Sequence, residues 1–199
     1  MTVYFLRHGE TEYNAQWRYL GRTDQPLSPK GREELICAGF SPRTVYVSPL
    51  CRTAQTAEIL FPDAEQRVVP DFREMDFGIF EGRSANEMAD DPAYRQWVDS
   101  GCLDEIPGGE SRAAFSERTC AAFAALLDGA VAKGEDPLVI VAHGGTQMAA
   151  LERFALPRRD YFDWPGPNGG GYELDAGRWK QDRMLVVLRT VQYRKGGRV

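Results

Sequence analysis

The chain alternates short, continuously apolar runs with segments whose apolar side chains recur every three or four positions. Residues 3–6 and Leu138–Ala142 are apolar throughout, which is typical of parallel strands buried on both faces. Thr44–Val47 predicts a third strand, and residues 111–131 predict a long helix with phenylalanines on one side. Because strands alternate with helices, the pattern predicts a layered α/β fold with a mostly parallel sheet.

Capping residues and helix breakers place the remaining elements. Ser28-Pro29 and Ser48-Pro49 each combine an N-cap serine with a first-turn proline, so each predicts a helix start, the second helix extending to about Leu60. Residues 72–82 predict an irregular segment rich in glycine and carboxylates. The other predicted elements are a short strand at 67–70, a helix at 86–100 interrupted by Pro92, a helix at 146–156, and two strands joined by a turn at 171–174 and 184–188.

Composition limits the classes of protein that remain. A chain of 199 residues with 43% hydrophobic and 27% charged residues fits one domain, taken here as residues 1–199. No apolar run approaches the ~20 residues of a membrane span, and no signal-peptide pattern is present. The net charge of −5 argues against a nucleic-acid surface, and four cysteines without a CxxC pair indicate reduced thiols. We therefore expect a cytoplasmic protein without membrane or nucleic-acid partners, with residues 193–199 as a loose terminus.

The two histidines of the chain have matching surroundings. His8 and His143 each stand at the end of a predicted buried strand, and each precedes glycine. Ligands of open α/β folds bind at the carboxyl ends of the strands, so we expect both side chains in one site. The alternatives are two ordinary structural histidines or a zinc site. The absence of HxH, HxxxH and CxxC spacings disfavours zinc.

Two arginines give this edge of the sheet a preference for anions. Arg7 precedes His8, and Arg52 falls in the first turn of the helix predicted after Ser48-Pro49, where a cation opposes the helix dipole unless an anion lies nearby. Guanidinium groups bind phosphate in a bidentate manner, and the helix that follows His143 offers free N–H groups at its N-terminus. The alternative for Arg52 is a solvated surface position. Together these features predict a phosphate pocket.

A series of motifs in order resembles the histidine phosphatase superfamily, which includes the phosphoglycerate mutases. The motifs cover landmarks from residue 4 to about residue 145. They are the segments 6–14 (LRHGETEYN), 21–28 (GRTDQPLS), 48–57 (SPLCRTAQTA), 74–82 (EMDFGIFEG), 107–111 (PGGES) and 141–145 (VAHGG). The resemblance implies a three-layer α/β/α sandwich with a mostly parallel central sheet, and about residues 72–110 as a lid or inserted segment over the site.

The resemblance also implies a role for each matching residue. His8 is the nucleophile that carries the phosphoryl group, and Glu74 donates a proton to the leaving oxygen. From the residues alone, Glu74, Asp76 and Glu81 remain equal candidates for that acid. The resemblance implies no metal ion and no cofactor. Nearby cations should lower the pKa of His8, and an apolar setting should raise the pKa of Glu74. The other implied contacts are Arg7, Arg52 and His143 at the phosphoryl oxygens, and Asn14, Gly21 and Gly144 at the substrate.

The same chemistry serves a phosphatase or a mutase. The span from Glu74 to His143 is short and holds few basic residues for the carboxylate of a phosphoglycerate, which favours a phosphatase of a small phosphorylated substrate. Those basic residues are Arg83, Arg95, Arg112, Arg118 and Lys133, the last three interpreted as solvated. Segments 76–82 and 107–111 are similar to small bacterial α-ribazole phosphatases, so α-ribazole 5′-phosphate is the candidate substrate. A phosphoglycerate mutase and a non-catalytic phosphate-binding or regulatory domain remain alternatives, and either a monomer or a homodimer is expected.

Two further features have an ordinary interpretation and a functional one. Residues 168–171 are interpreted as a flexible turn before a strand, with a border of the site as the alternative. Four aromatic residues are interpreted as core positions, with the walls of a substrate pocket as the alternative. They are Tyr94, Trp97, Phe162 and Trp164.

Overall fold

The computed structural model describes residues 1–196 and contains a seven-stranded sheet. The strands are β1 (Thr2–Arg7), β2 (Thr44–Val47), β3 (Glu65–Val68), β4 (Leu138–Ala142), β5 (Ala155–Leu156), β6 (Gly170–Asp175) and β7 (Leu185–Gln192). Their spatial order is β3-β2-β4-β1-β6-β7-β5. All run in one direction except β6, which is antiparallel to both of its neighbours. The expected α/β fold with a mostly parallel sheet is confirmed.

Helices connect the strands and cover the sheet. They are α1 (Glu12–Ala15), α2 (Pro29–Glu34), α3 (Cys51–Leu60), α4 (Pro92–Asp99), α5 (Arg112–Lys133), α6 (Gly144–Phe154) and α7 (Trp179–Asp182), with 3₁₀ turns at Pro70–Phe72, Gly78–Phe80 and Tyr161–Asp163. Side chains of Ser28, Asp91 and Ser111 accept a main-chain N–H in the first turns of α2, α4 and α5, as N-caps do. Over residues 1–196, every helix is too short or too polar to cross a membrane.

The sheet is buried on both faces because its central strands are apolar at consecutive positions. In β4, Leu138 and Ile140 pack into a core with α5 and α6, whereas Val139 and Val141 pack with α3 on the opposite face. Each such fully buried side chain contributes about 1.5–3 kcal/mol to folding. Helices on both sides of one sheet make the three-layer sandwich that the resemblance implies.

The register of β1 against β4 determines where both histidines lie. Arg7, the last residue of β1, stands opposite Ala142, the last residue of β4. The N–H of His8 donates to the carbonyl of Ala142 at 3.0 Å, so the pairing continues to the edge of the sheet. His143 follows β4 at the same edge. Two residues distant in sequence are thereby placed side by side by parallel pairing.

Several element boundaries differ from the predictions. The helix expected from Ser48-Pro49 begins at Cys51, with Leu50 as its N-cap, and the Ser48 side chain accepts the N–H of Leu50 instead of capping the helix. Pro92 begins α4 and does not interrupt a longer helix, since proline lacks an N–H and fits the first turn. β3 starts two residues before the predicted strand, and residues 155–156 form β5 where the end of a helix was expected.

The C-terminal segment is packed as far as the structure describes it. Tyr193 is buried, and its N–H donates to the carbonyl of Gly169 at 2.8 Å. Arg194 forms an ion pair with Glu34 of α2. The expectation of a loose terminus is therefore wrong for these residues, because they extend β7 toward α2. Residues 197–199 lie outside the described part of the chain.

Residues 72–110 belong to the main core as well as to the edge of the site. Phe72, Phe80, Met88 and Ile106 are fully buried within the same hydrophobic cluster as α5. Trp97 of α4 joins this cluster, and it also lines the cavity described below. Residues of this segment thus pack into the core, and some of them also line the cavity.

Candidate active site

His8 follows β1 and presents a neutral imidazole. Its Nδ1 lies 2.7 Å from the carbonyl oxygen of Gly9, which can only accept, so Nδ1 carries the proton and donates it. The N–H of Gly9 donates to Thr56 Oγ1 at 2.9 Å, which holds this loop. Burial, and after it the charges of Arg52 and Arg7, keep the pKa of His8 well below 6.5. The ring is therefore neutral at physiological pH, with its Nε2 lone pair available.

His143 lies beside this ring. The two ring centroids are 5.2 Å apart, and His143 Nε2 is 2.7 Å from Ser48 Oγ. Burial, with a further contribution from the Arg52 charge, lowers the pKa of His143 well below 6.5. Its Nδ1 is buried and has no hydrogen-bond partner within residues 1–196. The parallel strands thus bring the two histidines together.

The two predicted arginines reach the same place from different elements. Arg52 of α3 is fully buried, and its Nη1 and Nη2 donate to the carbonyls of Thr23 and Gly21, each at 2.9 Å. Arg7 Nη1 donates to the carbonyl of Gly166 at 2.9 Å. In the described part of the chain, the Nε atoms of both guanidinium groups are buried without a partner. Unpaired buried N–H groups are costly, so they indicate the position of an anionic ligand, and Arg52 is not a solvated arginine.

Glu74 is the acid of the 74–82 segment that enters the site. Its carboxylate accepts the N–H of Met75 at 2.9 Å and that of Gly145, in the first turn of α6, at 3.0 Å. Burial raises the pKa of Glu74 above its ordinary value in spite of these hydrogen bonds. Asp76 and Glu81, the other two candidates, bind main-chain N–H groups of neighbouring turns. The geometry therefore separates three acids that their sequence pattern left equal.

Glu81 holds the loop that supports Arg52. Its carboxylate accepts the N–H groups of Gly21 at 2.9 Å and Arg22 at 2.8 Å and the hydroxyl of Thr23 at 2.8 Å. The carbonyls of Gly21 and Thr23 are in turn the acceptors for Arg52. A Cβ at Gly21 would lie 1.9 Å from a main-chain oxygen, so glycine is required for this close approach. Gly21, expected at the substrate, thus holds the arginine through its carbonyl.

Arg118 and Glu110 hold the main chain around Glu74, a role that the sequence did not indicate for either residue. Arg118 of α5 donates to the carbonyl of Glu74 at 3.0 Å and to two carbonyls just before it, each at 2.9 Å. It also makes two bonds of 2.7 Å to Glu110, which accepts the N–H of Asp76 at 3.0 Å. The interpretation of Arg118 as solvated is wrong. Its spacing of three residues from the buried Phe115 was the available signal, because such positions share a helix face.

A cavity of about 300 Å³ is lined by His8 and Glu74. Its other polar lining residues are Arg7, Asn14, Arg18, Arg112, Gly144 and Gly145. Its aromatic lining residues are Tyr19, Phe77, Trp97, Tyr161 and Phe162. Trp97 and Phe162 therefore face the site, whereas Trp164 is buried against Tyr172. Tyr94 lies behind the cavity wall, where it packs against Trp97 and Tyr19. The preference for core positions is correct for Trp164 and wrong for Phe162, which is exposed at the rim.

Three polar residues complete the surroundings of the site. The amide of Asn168 donates to the carbonyl of His8 at 3.2 Å and to Asn14 Oδ1 at 3.2 Å, so the 168–171 turn borders the site. Arg112 lines the cavity with its guanidinium carbon 5.0 Å from the ring centroid of Tyr161. Its interpretation as a solvated residue is wrong, because the start of α5 points toward the cavity. Within residues 1–196, no three His, Cys, Asp or Glu side chains are grouped to hold a metal ion.

Comparisons with known proteins agree with this geometry. Residues 3–187 match the sequence profile of the histidine phosphatase superfamily (branch 1). A Salmonella typhi protein named "Probable phosphoglycerate mutase GpmB" is 36% identical over 153 residues, which are 72% of this chain and 70% of the relative. A phosphoglycerate mutase from Thermus thermophilus superposes with a TM-score of 0.68 at 29% identity, over 96% of this chain and 98% of that one. The α-ribazole phosphatase of Shigella flexneri has the same fold, with a TM-score of 0.80 at 24% identity over 96% of each chain. The chain therefore belongs to branch 1 of the histidine phosphatase superfamily.

Proposed function

We propose that the protein is a metal-independent phosphomonoesterase that transfers the phosphoryl group of a small metabolite first to His8 and then to water. The observation that carries this proposal is the neutral imidazole of His8, bound through Nδ1 to Gly9 and free at Nε2. Beside it, the unpartnered Nε atoms of Arg7 and Arg52 mark a site for an oxyanion. Phosphoryl transfer needs a positioned nucleophile and charge stabilisation, and these residues supply both.

Each chemical step has a group in place. His8 Nε2 attacks phosphorus, and the bond from phosphorus to the ester oxygen breaks while Glu74 gives that oxygen its proton. The Gly9 carbonyl keeps its bond to Nδ1–H, which stabilises the positive phosphohistidine ring. Water then attacks phosphorus, the ionised Glu74 takes its proton, and the P–N bond breaks to release phosphate and neutral His8. A buried acid of raised pKa is suited to this exchange.

The walls of the cavity support a phosphatase of a weakly charged ester. The lining is largely aromatic and apolar, so it fits a leaving group with little charge better than a phosphoglycerate. We propose α-ribazole 5′-phosphate as the candidate substrate, on this lining and on the motif similarity. Residues 72–110, which supply Glu74 and Trp97, act in this proposal as the cover of the site within the single domain 1–199.

A phosphoglycerate mutase is the second candidate, and a specific residue favours it. Arg112 lines the cavity, and its hydrogen bond to the Gly101 carbonyl is long, at 3.5 Å. Its charge is therefore available to a substrate carboxylate. The relative from Salmonella typhi bears the name of a mutase. The two candidates differ in whether water or the bound product receives the phosphoryl group from His8.

Product analysis tests these candidates. The protein is incubated with p-nitrophenyl phosphate, α-ribazole 5′-phosphate and 3-phosphoglycerate, and free phosphate and 2-phosphoglycerate are measured. The proposal expects phosphate release that survives EDTA, is lost in His8→Ala, and passes through a phosphohistidine that mass spectrometry detects after rapid quenching. Isomer formation faster than phosphate release would establish the mutase. No turnover of any ester would leave a non-catalytic phosphate-binding or regulatory domain, and full turnover by His8→Ala would refute His8 as the nucleophile.

A further inference from the structure

A second cavity, of about 600 Å³, adjoins the catalytic one. The two cavities share four lining residues, Arg7, Asn14, Arg18 and Tyr19, so they are neighbours on either side of these side chains. The remaining lining residues of the second cavity are Glu10, Trp17, Ala85, Pro167, Asn168 and Arg194. The second cavity is therefore the space beside the catalytic one in which a larger substrate would place the part remote from its phosphate.

Trp17 in the wall of the second cavity ends α1: its N–H and that of Arg18 donate to the carbonyls of Asn14 and Tyr13, as in a helix C-terminal motif that usually has glycine at this position. Its side chain is 87% exposed, the largest value among the exposed large hydrophobic residues. Its φ is 56°, a left-handed conformation that follows the end of α1 at Gln16. Glycine and asparagine adopt this conformation with least strain after a helix, whereas a bulky residue there is an outlier. An exposed indole at a position that favours glycine or asparagine, in the wall of a cavity beside the proposed active site, is the observation from which we infer a ligand.

The groups around Trp17 define the chemistry of the ligand. An exposed indole offers a flat surface for stacking of another planar ring. Asn14, Asn168 and the Glu10 carboxylate bring hydrogen-bonding groups to the same cavity, so the ring that fits best carries polar ring atoms. Arg18 forms a bidentate pair with Glu87, which holds the residue after Trp17 in place. The wall is thus anchored immediately beside the exposed ring.

We propose that Trp17 is a stacking platform for the heteroaromatic ring of a substrate whose phosphate lies at His8. This inference rests on the proposed phosphomonoesterase function. The substrate class is a ribose 5′-phosphate that bears a planar base, with the phosphate and sugar in the catalytic cavity and the base in the second one. A substrate without the base uses the same nucleophile and leaves Trp17 unoccupied.

Matched substrates test the platform by kinetics. Adenosine 5′-monophosphate and α-ribazole 5′-phosphate carry a ring, and ribose 5-phosphate is their counterpart without one. In Trp17→Asn, the ratio of kcat/KM for a ring-bearing ester to that for ribose 5-phosphate is expected to fall about tenfold, within the range of base stacking on aromatic side chains. Trp17→Phe is expected to retain most of the ratio. A ratio unchanged in Trp17→Asn for both ring-bearing esters would overturn the proposal.

Fluorescence tests it by binding. The other tryptophans, Trp97, Trp164 and Trp179, are buried, so Trp17 alone dominates emission from a solvent-exposed indole. In a His8→Ala background, where the ester is not consumed, either ring-bearing ester is expected to quench that emission, and ribose 5-phosphate is not. Absence of quenching by both ring-bearing esters would contradict the platform. A dimer that dissociates in Trp17→Asn would also contradict it, because the indole would then serve self-association.

Stability measurements separate this role from a structural one. Asparagine suits the left-handed φ at position 17, so Trp17→Asn is expected to keep or raise the melting temperature while the kinetic ratio falls. A large loss of stability would assign Trp17 to folding instead. If p-nitrophenyl phosphate is hydrolysed through His8 but the ratio does not move, the platform fails alone. If no ester is hydrolysed, the proposed function fails with it.

Discussion

Replacing Arg118 is expected to damage proton donation by Glu74 more than phosphoryl transfer itself. Arg118 makes five hydrogen bonds, three to main-chain carbonyls at and just before Glu74 and two to Glu110. None of them reaches the histidines. In Arg118→Ala, the main chain that carries the acid loses its anchor on α5, whereas His8 keeps its bond to Gly9.

The magnitude follows from the bonds that are lost. Hydrogen bonds to a charged group contribute about 1.5–3 kcal/mol each, but water can replace part of them at this partly buried position, so we expect about 2–4 kcal/mol of destabilisation in total. A positioned general acid accelerates a reaction by roughly 10²–10⁴-fold, and a displaced Glu74 retains part of this. We therefore expect kcat/KM for ribose 5-phosphate, which reports the transfer to His8, to fall roughly 10- to 100-fold.

The assay compares two leaving groups. p-Nitrophenolate departs without a proton, so kcat/KM for p-nitrophenyl phosphate, which excludes the later step in which Glu74 activates water, is expected to fall only a few-fold in Arg118→Ala. Glu74→Gln should show the same imbalance. Arg153→Ala is the control, because Arg153 forms an exposed pair with Glu117, the residue next to Arg118. Equal losses for both substrates, in protein shown to be folded by its melting temperature, would refute a positioning role for Arg118.

Three further expectations follow from the site. Gly145→Ala would place a methyl group 2.3 Å from a carboxylate oxygen of Glu74, whereas the methyl group of Gly144→Ala would meet nothing closer than 3.4 Å. Steady-state kinetics should therefore show a much larger loss of kcat in Gly145→Ala than in Gly144→Ala. Because the pKa of Glu74 is raised and its protonated form is the acid, kcat/KM for ribose 5-phosphate should decline as pH rises through that pKa, and a profile unchanged in Glu74→Gln would contradict this. His8 and His143 are held neutral with pKa values well below 6.5, so the unfolded chain binds more protons below that pH. Urea unfolding should therefore show the free energy of unfolding falling as pH drops below about 6.5, with a shallower fall in His8→Asn. Equal pH dependence in the two proteins would contradict the lowered pKa of His8.

The sequence predicts well whatever depends on local pattern and parallel pairing. The continuous apolar run of β4 and the shorter one of β1 identify strands buried on both faces, and the residue after each strand is placed at the sheet edge by the chirality and direction of pairing. This is why His8 and His143 could be assigned to one place before any coordinates. The turn expected between the last two strands agrees with the antiparallel pairing of β6 and β7, but the antiparallel pairing of β6 with β1 was not predicted, because an apolar run has no direction.

Side chains whose partners are distant in sequence could not be placed. Arg118 and Arg112 on α5 are charged residues within an amphipathic helix, and an exposed position is the usual outcome for such residues. Their contacts come from segments 71–74, 101 and 161, which only the folded chain brings near. Trp17 was overlooked for the opposite reason, since nothing in its local pattern distinguishes an exposed indole from a buried one.

The pairing of β1 with β4 also fixes the order in which the site can assemble during synthesis. His8 leaves the ribosome well before the strand that ends at His143. Until that later strand inserts between β1 and β2, the first histidine has no neighbour on one side and its arginines surround no closed site. The paired histidines are thus a product of long-range order, which forms only after β4 has been synthesised.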